Sequence, residues 1–258
     1  MSLILPQRGR IRQAAAGGDA LTASMLSTLF GAGQGGIAFD FTDASRLFTD
    51  AGENNVTADN DLVYRALPVD NGWAEYGEQT NSGYRPKWNT GGYLLFNDSI
   101  DFMEITALLD LSATKTASSA LRFTKGADGA QDHTILYWGA HDIGDSFMTV
   151  KIGANRRKLS TGVGAGQGYG TTYTWVCISD TTSGTELHEI FENGASKDTL
   201  SLTADVGVDV DNAYKRINRD TVITSWSQGK LYRCIYSDAA WSASERAVAE
   251  EWVEASLI

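Results

Sequence analysis

The sequence holds only three prolines, three histidines and two cysteines in 258 residues, and only 21 lysines and arginines against 32 acidic residues. Each shortage excludes something. Cys177 and Cys234 are too few for a disulfide scaffold, and each sits in a predicted strand among apolar neighbours, so buried free thiols are expected rather than a bridge. The histidines never share ligand spacing with a cysteine, which leaves a zinc site without support. A formal charge of −11 argues against a nucleic-acid partner, because neutralising phosphates needs a basic surface. It also argues against an anionic membrane surface. No run of about 18 apolar residues exists, so no membrane insertion by a helix is expected. The opening MSLILPQRGRIRQ places its apolar core, Leu3-Ile4-Leu5, ahead of its arginines, the reverse of the order in an export signal.

What is present is glycine, 27 residues of it, together with many β-branched and aromatic residues. That mixture predicts short antiparallel strands joined by Gly, Asn and Asp turns. Strands are expected at Leu62–Leu67, Tyr93–Phe96, Phe102–Asp110, Ser118–Thr124, His133–Gly139, Ser146–Ile152, Thr172–Asp180, Leu187–Glu192, Ala195–Leu202 and Lys230–Tyr236. Asn193-Gly194 is the sharpest turn signal, since Asn-Gly supplies the two positive-φ positions of a type I′ hairpin. Helical periodicity is confined to the ends. Leu21, Met25, Leu26 and Leu29 predict a short helix from Asp19, a candidate N-cap, to Phe30. Ser242 and Glu245 form a capping box ahead of a helix with Val248, Ala249, Trp252 and Val253 on one side and Glu250, Glu251 and Glu254 free to face water. Many strands without intervening helices predict an all-β fold, a β-sandwich or jelly roll, flanked by these two helices.

Residues 1–36 read as an arm and helix, and 37–258 as the sandwich domain. The arm carries Arg8, Arg10 and Arg12 with no acidic residue before Asp19, so it either docks onto a partner or is an unstructured tail. Catalytic chemistry finds little foothold. The pairs Asp101/Glu104 and Glu189/Glu192 are three apart, which places them on opposite faces of a strand rather than together in a cleft. His133, His141 and His188 lie in no activated-serine setting. The glycine-rich stretch 162–170 lacks the following helix that a phosphate cradle needs. Asp40, Asp43, Asp50, Asp59, Asn60 and Asp61 offer hard oxygens suited to calcium, but the same residues are ordinary turn formers, and turn chemistry is the favoured reading, with no cofactor implied. The remaining chemistry is sugar binding: a pyranose presents an apolar C–H face to an aromatic ring and hydroxyls to polar partners. Trp73, Tyr76, Tyr84, Trp88, His141, Asp142 and Tyr169 are the candidates, each also capable of ordinary packing.

The closing run Gly229-Lys-Leu-Tyr-Arg-Cys-Ile-Tyr236, followed by Ser-Asp-Ala-Ala-Trp-Ser-Ala-Ser-Glu-Arg246, resembles the last strand and loop of laminin-G-like, concanavalin A-like jelly rolls. Phe39-Asp40 through Asp43, Leu47 to Gly52, Arg85-Pro86, and Gly92 to Asn97 leading to Asp101 resemble the matching segment in phage and prophage versions of that fold. Asn97 stands where an acidic residue is frequent, which removes a ligand from any metal site carried over. The resemblance implies an all-β, antiparallel two-sheet jelly-roll β-sandwich and a non-enzymatic virion protein, a head or tail spike component. It would be made in the bacterial cytoplasm, attached to other virion proteins through the arm, and displayed to bind host-surface glycan as a homo-oligomer. Alternatives are an architectural decoration or connector protein and, less favoured, a glycan-degrading enzyme. Fold alone does not choose among them.

Overall fold

The computed structural model describes residues 18–30, 35–69, 76–96, 101–105, 116–126, 133–139, 146–152, 170–180, 186–202, 214–217 and 229–255. Helix α1 (Gly18–Leu29) leads into β1 (Gly36–Asp40), a 3-10 turn at Ala44–Arg46, β2 (Leu47–Phe48), β3 (Arg65–Ala66) and β4 (Gly77–Glu78). A second 3-10 turn, Ser82–Tyr84, precedes β5 (Lys87–Asn89), β6 (Tyr93–Phe96), β7 (Met103–Ile105) and β8 (Thr116–Lys125). Then come β9 (His133–Gly139), β10 (Ser146–Ile152), β11 (Thr172–Asp180), β12 (Glu186–Glu192), β13 (Ala195–Leu202), β14 (Tyr214–Ile217), β15 (Gly229–Ser237) and helix α2 (Ala243–Glu254). An eight-stranded sheet runs β13-β12-β11-β8-β15-β6-β5 with β1 also on β15, and a seven-stranded sheet runs β10-β9-β14-β7-β4-β3-β2. Their pairings are antiparallel, so the architecture is the expected all-β sandwich with a helix near each end.

The eight-stranded sheet is buried on both faces over much of its area. Leu121 and Phe123 of β8, Trp175 and Cys177 of β11, and Cys234 and Tyr236 of β15 point inward, against Leu47, Ala66, Met103, Ile105 and Ile217 of the other sheet. The alternate residues Ala120, Val176, Ile178 and Ile235 point outward into a second cluster with Met25, Leu26 and Leu29 of α1 and Ala249, Trp252 and Val253 of α2. Apolar side chains on both faces explain why β11 shows no wet face in its alternation. Burying a side chain the size of Trp252 contributes about 3 kcal/mol, so the helix layer is integral to the sheet.

Local signals act where expected. Asn193 and Gly194 adopt φ of 49° and 78° between β12 and β13. Ser242 accepts from the Glu245 N–H at 3.3 Å while Glu245 Oε2 accepts from the Ser242 N–H at 2.8 Å, closing the capping box. Both thiols are free and buried, and burial pushes Cys177 up to about 12. Other expectations need correction. Asp19 lies inside α1, which starts one residue earlier. The strand expected over Leu62–Leu67 is reduced to Arg65–Ala66 plus a bridge from Leu62 to Lys87. Pro68, which lacks an N–H, follows it at once. Glu250 does not face open water: its carboxylate is half-buried beside Arg246, 3.8 Å away and beyond hydrogen-bond reach.

Gly229 marks where β15 enters the sheet. Its φ is 152°, and a Cβ there would collide with the Thr124 carbonyl oxygen and crowd the Phe123 ring at 2.6 Å. Gly229→Ala should therefore cost about 2–3 kcal/mol, seen as a lower urea midpoint at unchanged slope; a loss of only a few tenths would refute the close approach. Burial, partly offset by Arg246, raises the Glu250 carboxyl above its ordinary range. Ionising it therefore opposes folding, and this penalty grows as pH rises through the raised pKa and vanishes under acid conditions. Glu250→Gln should raise Tm by about 1–2 °C at pH 7 and leave it unchanged near pH 3.5, as read by paired thermal melts.

Candidate functional site

The described helices lie on the eight-stranded sheet, α2 packing on β8, β11 and β15. The outer face of the seven-stranded sheet is built from its own strands and loops. Register places Arg65 of β3 opposite Glu78 of β4, Glu78 opposite Glu104 of β7, and Glu104 opposite Arg216 of β14. Cross-strand partners share a face. Since the neighbours Ala66, Met103 and Ile105 point into the core, Arg65, Glu78 and Glu104 point outward. Three strands thus carry one positive and two negative charges side by side across the sheet.

Three tyrosines are organised around this row. The Arg65 guanidinium donates to Glu78 Oε1 at 2.9 Å and lies 4.5 Å over the Tyr76 ring and 5.4 Å over that of Tyr64. Glu78 also engages the Tyr64 hydroxyl, and that hydrogen bond raises the phenol's pKa. Arg85 lies 4.9 Å over Tyr64. Its donors are committed to backbone: Nε to the Gln79 carbonyl at 2.9 Å, Nη2 to that of Thr80 at 3.1 Å and Nη1 to that of Thr49 at 3.3 Å. Tyr84 closes the group, tilted against Phe102 with ring centroids 5.8 Å apart. Gln79 fixes the loop by donating to the Phe102 carbonyl and accepting from the Asn81 N–H. Tyr64, Tyr76 and Tyr84 are half-buried, the first two held by guanidinium groups and the third by the Phe102 ring.

Of the aromatic candidates, Tyr76 and Tyr84 fall in this group. Trp88 does not. It is 6 % exposed in the core between the sheets, and its Nε1–H donates to the Phe41 carbonyl at 3.1 Å. It is therefore a packing residue, because its ring faces are covered by protein. Trp73, His141, Asp142 and Tyr169, and the arm's Arg8, Arg10 and Arg12, lie outside the described residues. Tyr64, Arg65 and Glu78 were missed by the sequence reading, which sought carboxylates along one strand, whereas Glu78 and Glu104 meet across two.

The acidic loops are occupied by turn chemistry. Asp40 pairs with Arg233 at 2.9 Å, and Asp43 caps the first 3-10 turn by accepting from Ser45. Hydrogen bonds from Asn54 to Asp50, from Thr90 to Asp59, and from Thr57 and Ala58 to Asp61 hold these carboxyls below their usual range. Among the described residues, no three His, Cys, Asp or Glu side chains come together as a metal site.

No protein-family model and no curated protein matches the sequence. Solved structures do. Trypanosoma rangeli sialidase in complex with sialic acid is similar at a TM-score of 0.58 and 12% identity, over 86% of this chain and 33% of that one. The same sialidase with 2,3-difluoro-KDN gives 0.57 and 11%, over 84% and 32%. The chain thus spans about a third of the length of these structures. The likeness establishes the fold. Ruminococcus gnavus IT-sialidase CBM40 bound to alpha2,3 sialyllactose reaches a TM-score of only 0.36 at 12% identity, over 51% of this chain and 80% of that one, too little to bear on it.

Proposed function

We propose that the chain is a non-enzymatic glycan-binding module of a phage or phage-like virion, with the sandwich displayed and the N-terminal arm attached to other virion proteins. The observation that carries the sugar-binding part is the tyrosine group on the outer face of the seven-stranded sheet. Arg65 and Arg85 hold Tyr64 and Tyr76 at fixed angles, and Glu78 and Glu104 lie beside them as acceptors for sugar hydroxyls. A rigid ring next to fixed acceptors suits a pyranose, whose C–H face stacks while its hydroxyls donate. Glu78 already serves Arg65 and Tyr64, a role that orients rings rather than moving protons, so the reading is a binder. The virion part rests on the sequence resemblance and on the basic arm of an otherwise acidic chain, and a homo-oligomer is the assembly such a spike would use.

A glycan array probed with the whole chain should show saccharide binding. Tyr76→Ala should weaken that binding about tenfold with Tm preserved, and a chain that binds no glycan would refute the reading. Deleting residues 1–17 spares α1, whose Met25, Leu26 and Leu29 are buried in the helix layer. The shortened chain should fold with an unchanged melt yet fail to enter particles, and normal incorporation would refute attachment through the arm.

A further inference from the structure

The outer face of the eight-stranded sheet carries a second group. Lys87 of β5 and Lys230 of β15 both lie opposite Leu95 of β6. The same row continues through Thr124 of β8 to Thr172 of β11. Leu94 and Phe96, Leu121 and Phe123, and Trp88 point inward from these strands, so the row points outward. Two strand spacings separate the lysines, about 10 Å at the backbone, within reach of one bound group for two flexible four-carbon stems.

Next to the row, the Tyr93 and Tyr232 rings meet at 5.7 Å and 65°. Lys230 Nζ sits 4.6 Å from the Tyr93 ring centroid, and the Arg122 guanidinium 5.9 Å from that of Tyr232. Thr124 Oγ1 is 2.6 Å from Thr172 Oγ1 and 3.1 Å from the Tyr232 hydroxyl. Arg122 is anchored to the end of α2 through the Glu254 carbonyl at 2.6 Å.

Charge makes this surface unusual. The chain carries −11, and Arg46, Arg65, Arg233 and Arg246 each face a carboxylate. Lys87 and Lys230 have no ion-pair partner among the described residues. Among the described residues, the outward strand positions around them are Asn89, Tyr93, Leu95, Arg122, Thr124 and Tyr232, and Asp61, next to Lys87's bridge partner Leu62, spends its carboxylate on the Thr57 and Ala58 N–H groups. Ammonium groups without a carboxylate partner among the described residues, beside edge-to-face phenols and a fixed hydroxyl chain, match a ligand with an apolar ring face, hydroxyls and a negative charge.

We infer that this face is a second binding site, for a saccharide bearing a carboxylate or a phosphate, with Lys87 and Lys230 taking the anion, Tyr93 and Tyr232 the ring, and the exposed Thr172, held by the buried Thr124, the hydroxyls. Calorimetry on the whole chain with polygalacturonate, phosphomannan and neutral mannan tests it. Binding to at least one of the two acidic polymers is expected, and which of them binds identifies the anion. The variant carrying Lys87→Gln and Lys230→Gln should lose about tenfold or more in that affinity. If the double variant does not melt as the native chain does, Lys87→Gln alone, on the edge strand β5, gives the reading. Binding of neutral mannan as tightly as the acidic polymers, binding of neither acidic polymer, or affinity indifferent to the lysines would each overturn the inference. None of these three results depends on the tyrosine group of the other sheet.

Discussion

Arg233 holds the molecule's layers in register. It sits on β15 where the outer edge of that strand changes partner, from β6 over Gly229–Leu231 to β1 over Arg233–Ser237. Its guanidinium pairs with Asp40 of β1 at 2.9 Å, donates to the Trp252 carbonyl at the end of α2 at 2.8 Å, and lies 5.1 Å over the Trp252 ring. One side chain thereby fixes two strands and satisfies a carbonyl that the helix terminus leaves open. Both charges are almost buried, with side chains 11% and 14% exposed, so neither can lose the other without leaving a charge in a poor dielectric. The bulge between Leu231 and Arg233 has a second effect, since it is where Tyr232 meets Tyr93 on the outer face.

The dependence of one sheet on two hydrophobic layers also explains what the sequence could and could not disclose. Asn193-Gly194 and the Ser242–Glu245 box were legible because their physics is local: two positive φ values in one case, two reciprocal hydrogen bonds in the other. The long strands β9, β10, β11 and β13 were legible to the residue, since turn formers bracket each of them. Strand β1 was not, because Ile37 and Phe39 point into the sandwich while Ala38 points into the helix layer, which erases the alternation that marks a half-buried strand. Short strands such as β4 and β14 carry too few residues for any period. Trp88 and Tyr76 look alike in sequence, both aromatic residues in loop-like surroundings. Only the Phe41 carbonyl, 47 residues away, decides that the first is core.

Charges across strands set the same limit. Along one segment, Asp101 is buried while Glu104 is exposed, so these two carboxylates diverge as the spacing predicts. The sheet then brings Glu78 and Glu104 together from strands 26 residues apart in sequence, with Arg65 opposite Glu78. Like charges directly opposite one another are unfavourable unless compensated, and here the flanking Arg65 supplies compensation while doubling as a support for two tyrosine rings. Arg65 and Glu78 are thus turned toward one another, and beside them the face presents aromatic rings and carboxylate oxygens.

The eight-stranded sheet uses its cations the other way. Where α1 and α2 cover it, its outer residues are alanine, valine and isoleucine; beyond the end of α2, they become threonine, tyrosine and lysine. The change follows from helix length, since twelve residues of α2 span about 18 Å and leave the far ends of β5, β6, β8 and β15 uncovered. Uncovered strand ends on an acidic protein would ordinarily carry acids or mixed pairs. That their described outward residues include Lys87, Lys230 and Arg122 but no carboxylate gives the sandwich two chemically different outer surfaces, one where Arg65 and Glu78 compensate each other and one where the ammonium groups meet no carboxylate among the described residues.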